Sequence, residues 1–170
     1  KEIAGRTFLG PLGGRLGAAT GDANADGDKQ KRLDVLSNDA VLEALKRAPV
    51  AYFASEEEIE ILTLHGDGMF AVAVDPLDGS SNIDTNAPIG TIFSVYPASP
   101  AGATASFFRP GREQVAAGYA IYGQHTALLL TVGEGVDMYV LDGQNNYRRV
   151  AAGLSIPPRA QEYAINASNY

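Results

Sequence analysis

The run VDPLDGSSNID, residues 74–84, sets Asp75 and Asp78 three positions apart, with Pro76 and Leu77 between them and Gly79, Ser80, Ser81 and Asn82 directly after. Carboxylates are hard oxygen donors of the kind Mg²⁺ prefers, and Mg²⁺ sites commonly combine a few of them with waters and a substrate phosphate. The stretch after Asp78 is complementary in sign. Glycine lets backbone approach a ligand closely. Serine and asparagine favour a helix start, where N–H groups and the helix dipole attract an anion. Cation ligands and an anion cradle therefore lie a few residues apart, a pairing that metal-assisted phosphoryl transfer needs.

Two more acidic stations accompany it: Glu56 with Glu57, after the apolar run VAYFAS (50–55), and Asp28 with Asp34. Taken singly, each has a plainer reading. Asp78-Gly79 alone is most often a turn, Glu56–Glu58 a solvated strand end, and Asp34 an early-helix residue favoured by the dipole. Together they are harder to dismiss. Carboxylates at the C-terminal ends of neighbouring strands, roughly 4.8 Å apart, can share one ion in the crevice where layered α/β sheets gather ligands. Asp67 and Asp84 read as solvated loop residues, and His65 and His125 as structural.

The elements that must position these groups follow from periodicity. Leu33, Leu36, Ala40, Val41, Ala44 and Leu45 form one apolar helical face that Pro49 stops. VAYFAS (50–55), IEILTLH (59–65) and MFAVAV (69–74) read as strands, the last apolar on both faces and so central. IGTIFSVYPA (89–98) is another, and 99–112 a loop of small residues. Residues 114–123, 125–133, 135–143 and 146–154 then alternate with short Gly-containing turns, the spacing of an antiparallel meander. GDANADGDKQ (21–30) has the composition of a flexible acidic loop. The fold class is α/β, in the form of an α+β layered sandwich: a mixed, largely antiparallel sheet flanked by helices.

Composition narrows the function. With 13 Lys and Arg against 20 Asp and Glu, the 170-residue chain carries a net charge of −7. That field repels nucleic acid and anionic membranes, whereas a divalent cation at an acidic site would invert the local sign. There is no cysteine, which excludes disulfides and thiolate metal sites and is compatible with a reducing cytoplasm. No apolar run approaches the ~18 residues of a membrane span, and the start does not read as a secretory signal.

The DPLDGSSN segment resembles the signature of the lithium-sensitive, magnesium-dependent sugar and inositol phosphatases. GDKQKRLDVLSND (27–39), SEEE (55–58), VDPLDGSSNIDTNAPIGTIFSVY (74–96), PGREQVAAGYAIYG (110–123) and YAINASNY (163–170) together are similar to class I fructose-1,6-bisphosphatase, in the same order along the chain. Inositol monophosphatases share the aspartate motif without GTIFSVY or AAGYAIYG, so the resemblance is to the sugar bisphosphatase branch.

The resemblance implies roles residue by residue. Glu56, Glu57, Asp75, the Leu77 carbonyl and Asp78 would form the metal site, for Mg²⁺ with Mn²⁺ or Zn²⁺ as substitutes. Gly79, Ser80 and Ser81 would receive the 1-phosphate. Asp34, helped by Glu57, would deprotonate the attacking water. Asp28 would belong to a loop closing over the metals, and Asn166 would contact the 6-phosphate. The implied reaction is hydrolysis of fructose 1,6-bisphosphate to fructose 6-phosphate in a cytoplasmic homotetramer. Sedoheptulose 1,7-bisphosphate is an alternative substrate, and a non-catalytic module binding Mg²⁺ and phosphate an alternative of another class. Residues 1–160 would be the metal- and phosphate-binding domain, and 161–170 the start of a sugar-binding domain. Met69-Phe70 and Pro97 stand where AMP-inhibited members carry basic and tyrosine residues, so the resemblance does not carry AMP inhibition over.

Overall fold

The computed structural model describes residues 1–4, 19–23 and 29–162. Near the start, β1 (Ala19–Ala23) and β2 (Lys29–Lys31) pair antiparallel and lead into helix α1 (Arg32–Leu45). Residues 21–23 and 29–30 are thus paired strand, where composition alone suggests loop; residues 24–28, Asp28 included, lie outside the described residues. Eight further strands form one sheet: β3 (Val50–Ser55), β4 (Leu62–Thr63), β5 (Phe70–Asp78), β6 (Ile89–Pro97), β7 (Ala116–Tyr122), β8 (Thr126–Thr131), β9 (Val136–Leu141) and β10 (Tyr147–Leu154), in the order β10-β9-β8-β7-β6-β5-β3-β4. From β5 to β10 every neighbouring pair is antiparallel, the meander that the turn spacing predicts.

Among the described residues the single parallel pair is β3 with β5, and it brings two carboxylate-bearing strand ends to the same edge. To run parallel to β3 on the side away from β4, the chain must cross the start of β3 within a few residues. The crossing is tight: a Cβ on Gly68 would lie 2.3 Å from the Ala51 nitrogen. Met69 and Phe70 N–H both donate to the Pro49 carbonyl at this point. The expected strand over 59–65 contracts to Leu62–Thr63, because its ends turn to make that crossing. The loop 99–112 contains a short helix, α2 (Ala103–Phe107), whose Ser106 hydroxyl is fully buried and tied to Ser99 N–H and the Gly102 carbonyl.

One face of the sheet packs against α1. Leu33 joins Leu77, Ile89, Ala120 and Tyr122 in a buried cluster, with Leu36, Val41 and Leu128 packed around it. The helix is not apolar along the whole predicted stripe. Ala44 is exposed, and the buried positions are Leu33, Asp34, Ser37 and Asn38. Three polar residues at i, i+3 and i+4 thus face inward on the first two turns, where a hydrophobic-stripe reading expects apolar ones. Such a substitution costs free energy unless hydrogen bonds or ligands offset it.

Candidate active site

The site grows from the C-terminal ends of β3 and β5. Ser55 is registered against Val74, and Glu56 N–H donates to the Val74 carbonyl at 3.2 Å, so Glu56 and Asp75 stand beside one another on adjacent strands. The Glu56 carboxyl is near enough to act directly on that of Asp75. Burial pushes the Asp75 carboxyl up from its ordinary value; the bonds to Glu56 and to Leu77 N–H pull it down, and the charges of Asp78 and Asp34 push it up again. Four of the residues singled out in the sequence are therefore electrostatic neighbours. Crowded carboxylates repel one another, and a cation placed among them relieves that repulsion.

Between Asp75 and Asp78 the β5–β6 ladder slips. Asp75 pairs with Ile92 and Asp78 with Gly90, so β5 carries one more residue than β6 across this step. This is a β-bulge, a feature that re-aims side chains next to active sites. Pro76 suits it because proline has no N–H to give the ladder. One Asp75 oxygen accepts from Leu77 N–H at 3.0 Å. The strand runs through both aspartates to Asp78, four residues past the apolar run MFAVAV. Leu77 buries its side chain in the core beneath α1 while its backbone stays in the bulge.

Gly79 turns the chain out of the sheet with φ 78°, ψ 29°, a left-handed conformation open to glycine. Ser80–Thr85 comes next as a six-residue 3₁₀ helix, closed by Asn86, also left-handed at φ 56°. The helix start expected from Gly-Ser-Ser-Asn is therefore present, in the tighter 3₁₀ form. Asn82 N–H closes the turn onto the Gly79 carbonyl at 2.8 Å.

Asp34 is 2% exposed in the first turn of α1. One turn on, Asn38 secures the acidic turn after β3. Its Nδ2 donates to Glu58 Oε1 at 2.6 Å, and its Oδ1 accepts from Ser55 Oγ at 2.8 Å. Ser55 Oγ in turn accepts from Glu57 N–H at 3.2 Å. Glu58 is thus a partner of α1 and not a member of the carboxylate group facing Asp75. Asn38 and Ser55 escape a motif reading; their one trace in the sequence is polarity at helix and strand positions that should be apolar. Among the described residues no group of three or more His, Cys, Asp or Glu side chains is already arranged as a metal site. The donor set itself, all hard oxygens, fits Mg²⁺ or Mn²⁺. Asn166 lies outside the described residues. His65 Nε2 lies 2.9 Å from the Lys46 carbonyl, away from the site, as its structural reading has it. No described helix is long and apolar enough to cross a membrane.

A family model described as fructose-1-6-bisphosphatase, N-terminal domain, matches residues 12–148. A class 1 fructose-1,6-bisphosphatase of Methylobacterium radiotolerans is 51% identical over 99% of this chain and 48% of that protein. One of Paracoccus denitrificans is 53% identical over 93% of this chain and 48% of its own length. The crystal structure of Leishmania major fructose-1,6-bisphosphatase in holo form superposes with a TM-score of 0.90 at 34% identity, covering 99% of this chain and 55% of that one. The chain spans about half the length of the curated relatives it matches. Sequence, fold and the bulged aspartate segment agree: the chain belongs to the fructose-1,6-bisphosphatase family, in the part of it that forms the N-terminal domain.

Proposed function

We propose that this chain is the metal- and phosphate-binding half of an enzyme that hydrolyses the 1-phosphate of fructose 1,6-bisphosphate. The observation that carries the reading is Glu56 and Asp75 side by side on adjacent strand ends, at the head of a bulge that leads straight into the Gly79 turn. Glu56, Glu57, Asp75, Asp78 and the Leu77 carbonyl would hold the ion, with Mg²⁺ the working metal and Mn²⁺ or Zn²⁺ as substitutes. When bound, such an ion neutralises phosphoryl oxygens and lowers the pKa of a coordinated water.

The residues of the chain do the rest. Gly79, Ser80 and Ser81 hold the 1-phosphate and fix its orientation for in-line attack. Asp34, assisted by Glu57, takes the proton as water attacks phosphorus, and the C1 oxygen leaves with the sugar and is protonated. Asp34 suits the part because it is almost fully buried and lies within electrostatic reach of Asp75. Asn166 contacts the 6-phosphate and Asp28 belongs to the segment that closes over the site. On the family's pattern, residues 1–160 are this unit, 161–170 lead into the sugar-binding domain, and the protein works as a cytoplasmic homotetramer.

The test is phosphate release by the full-length protein while Mg²⁺ is titrated, with fructose 1,6-bisphosphate and sedoheptulose 1,7-bisphosphate offered separately. Metal-dependent turnover of the fructose substrate is expected. Turnover of the heptose substrate alone would reassign the specificity, and metal binding without turnover of either would make the chain a binding module.

A further inference from the structure

The bulge that carries Asp75 and Asp78 is held from behind by two buried hydroxyls. Thr91 lies on β6 between Gly90 and Ile92, the two residues that pair across the bulge. Its Oγ1 donates to the Pro76 carbonyl at 2.8 Å, fifteen positions away in sequence, and lies 2.8 Å from the Tyr122 hydroxyl on β7. Because the one Thr91 hydroxyl proton goes to Pro76, the Tyr122 hydroxyl must be the donor in the second bond. Both side chains are 8% exposed, so no bulk water competes. The chain therefore runs Tyr122 O–H to Thr91 O–H to the Pro76 carbonyl, and it ends on the peptide unit between the two aspartates.

The geometry needs such a tether. A bulged residue lies outside the regular ladder, and Pro76 gives no N–H to hold it. Strand pairing therefore leaves this segment free to shift, and a shift here would move both carboxylates and the Leu77 carbonyl together. A hydroxyl at position 91 substitutes for the missing ladder bond, and the second hydroxyl fixes the rotamer of the first. We infer that Thr91 and Tyr122 are positioning residues for the carboxylate site, locking the bulged Asp75–Asp78 segment in the conformation that presents its oxygens to a divalent cation. The inference rests on the reading of that site as a metal site, and neither residue touches substrate or ion.

The test uses the full-length protein with Mn²⁺ as probe, read by electron paramagnetic resonance, in Thr91→Val, Thr91→Ser and Tyr122→Phe. Partners behind metal ligands are typically worth 10–100-fold in metal affinity, so Thr91→Val should weaken Mn²⁺ binding about tenfold. Thr91→Ser, which keeps the hydroxyl, should restore wild-type affinity, and Tyr122→Phe should fall between. Turnover at saturating metal should drop less than metal affinity does. A Thr91→Val protein that melts at lower temperature yet binds Mn²⁺ like wild type, well below its melting point, would show a purely structural contact and overturn the inference. Failure of the underlying metal reading would look different, since wild type itself would bind no Mn²⁺. Amide exchange at Leu77 without metal then decides whether the tether positions the bulge: about tenfold faster exchange in Thr91→Val supports it, and unchanged exchange sinks it.

Discussion

Asp75 is a carboxylate that the fold does not favour in its charged form. Burial and the neighbouring Asp78 and Asp34 charges raise its pKa, with Glu56 and Leu77 opposing them in part. For a group raised in the folded state, the stabilising contribution is present below the ordinary aspartate value of about 3.9 and is lost as pH climbs through the raised one. Metal-free protein should therefore lose stability across that window, and Mg²⁺ should restore it by neutralising the crowded carboxylates. In Asp75→Asn the carboxamide oxygen still accepts from Leu77 N–H, so the metal-free fold should be kept while the pH slope flattens and metal-dependent activity disappears. Melting curves against pH, with and without Mg²⁺, check both halves; an Asp75→Asn protein still stabilised by Mg²⁺ would remove Asp75 from the donor set. Asn38 is a different kind of residue. Asn38→Ala removes the partner of Ser55 and Glu58 and should cost about 1–2 kcal/mol of stability. Because Ser55 also holds Glu57 N–H, activity should fall beyond what lost folding explains. The aspartate and glutamate stations stand out in the sequence because their pattern is local. Asn38, Ser55, Thr91 and Tyr122 could not, since each acquires its role from a partner at least 15 positions away.

At the scale of elements, two glycines divide the labour of shaping and supporting the site. Gly68 lies where the chain crosses the start of β3, at the opposite end of the parallel pair from the carboxylates. Adding a methyl there meets backbone that cannot give, so Gly68→Ala should destabilise the whole domain by about 3 kcal/mol or more. Metal affinity of the molecules that remain folded should be unchanged. Gly79→Ala should do the reverse. Its left-handed φ of 78° costs an alanine only about 1–2 kcal/mol. The turn presenting Ser80 and Ser81 would be displaced, so the Michaelis constant for the bisphosphate should rise. Denaturant titration and steady-state kinetics on the two variants give opposite patterns if the division holds, and parallel losses would refute it. The strands from β5 onward are legible because alternation and Gly-containing turns are local signals. The parallel β3–β5 pair is not, since it depends on a crossing that one small residue permits. The polar inner face of α1 reads as a broken stripe for a related reason: Asn38 is satisfied by Ser55 and Glu58, far away in sequence.

At the scale of the molecule, the sheet is covered unequally. α1 and the buried cluster around Leu33 close one face. On the other, a groove of about 650 Å³ runs beside Ala73, Asp75, Ser94 and Leu129. Ile92 at 47%, Tyr119 at 41% and Ile121 at 38% exposure extend the apolar surface toward Gly79. Contiguous apolar surface of this kind on a soluble protein marks an interaction face or an aggregation hazard. The acidic net charge of −7 opposes association but acts over a distance of only about 8 Å at physiological salt. The family relatives are about twice as long as this chain, so their remaining half is available to cover such a face. A polypeptide restricted to residues 1–170 should therefore self-associate in solution, while one extended to the relatives' length should not expose this face. Catalysis should follow the same line, because phosphoryl transfer depends on holding both ends of the substrate in register. With the sugar and distal phosphate unheld, kcat/KM for fructose 1,6-bisphosphate should be at least ~100-fold lower in the shorter polypeptide, a loss of the size that positioning alone supplies. Sedimentation velocity on both lengths, with kinetics at saturating Mg²⁺, reads the two effects side by side. A monodisperse short polypeptide with undiminished kcat/KM would mean that the groove needs no cover and that the site of β3, β5 and the Gly79 turn is complete as it stands.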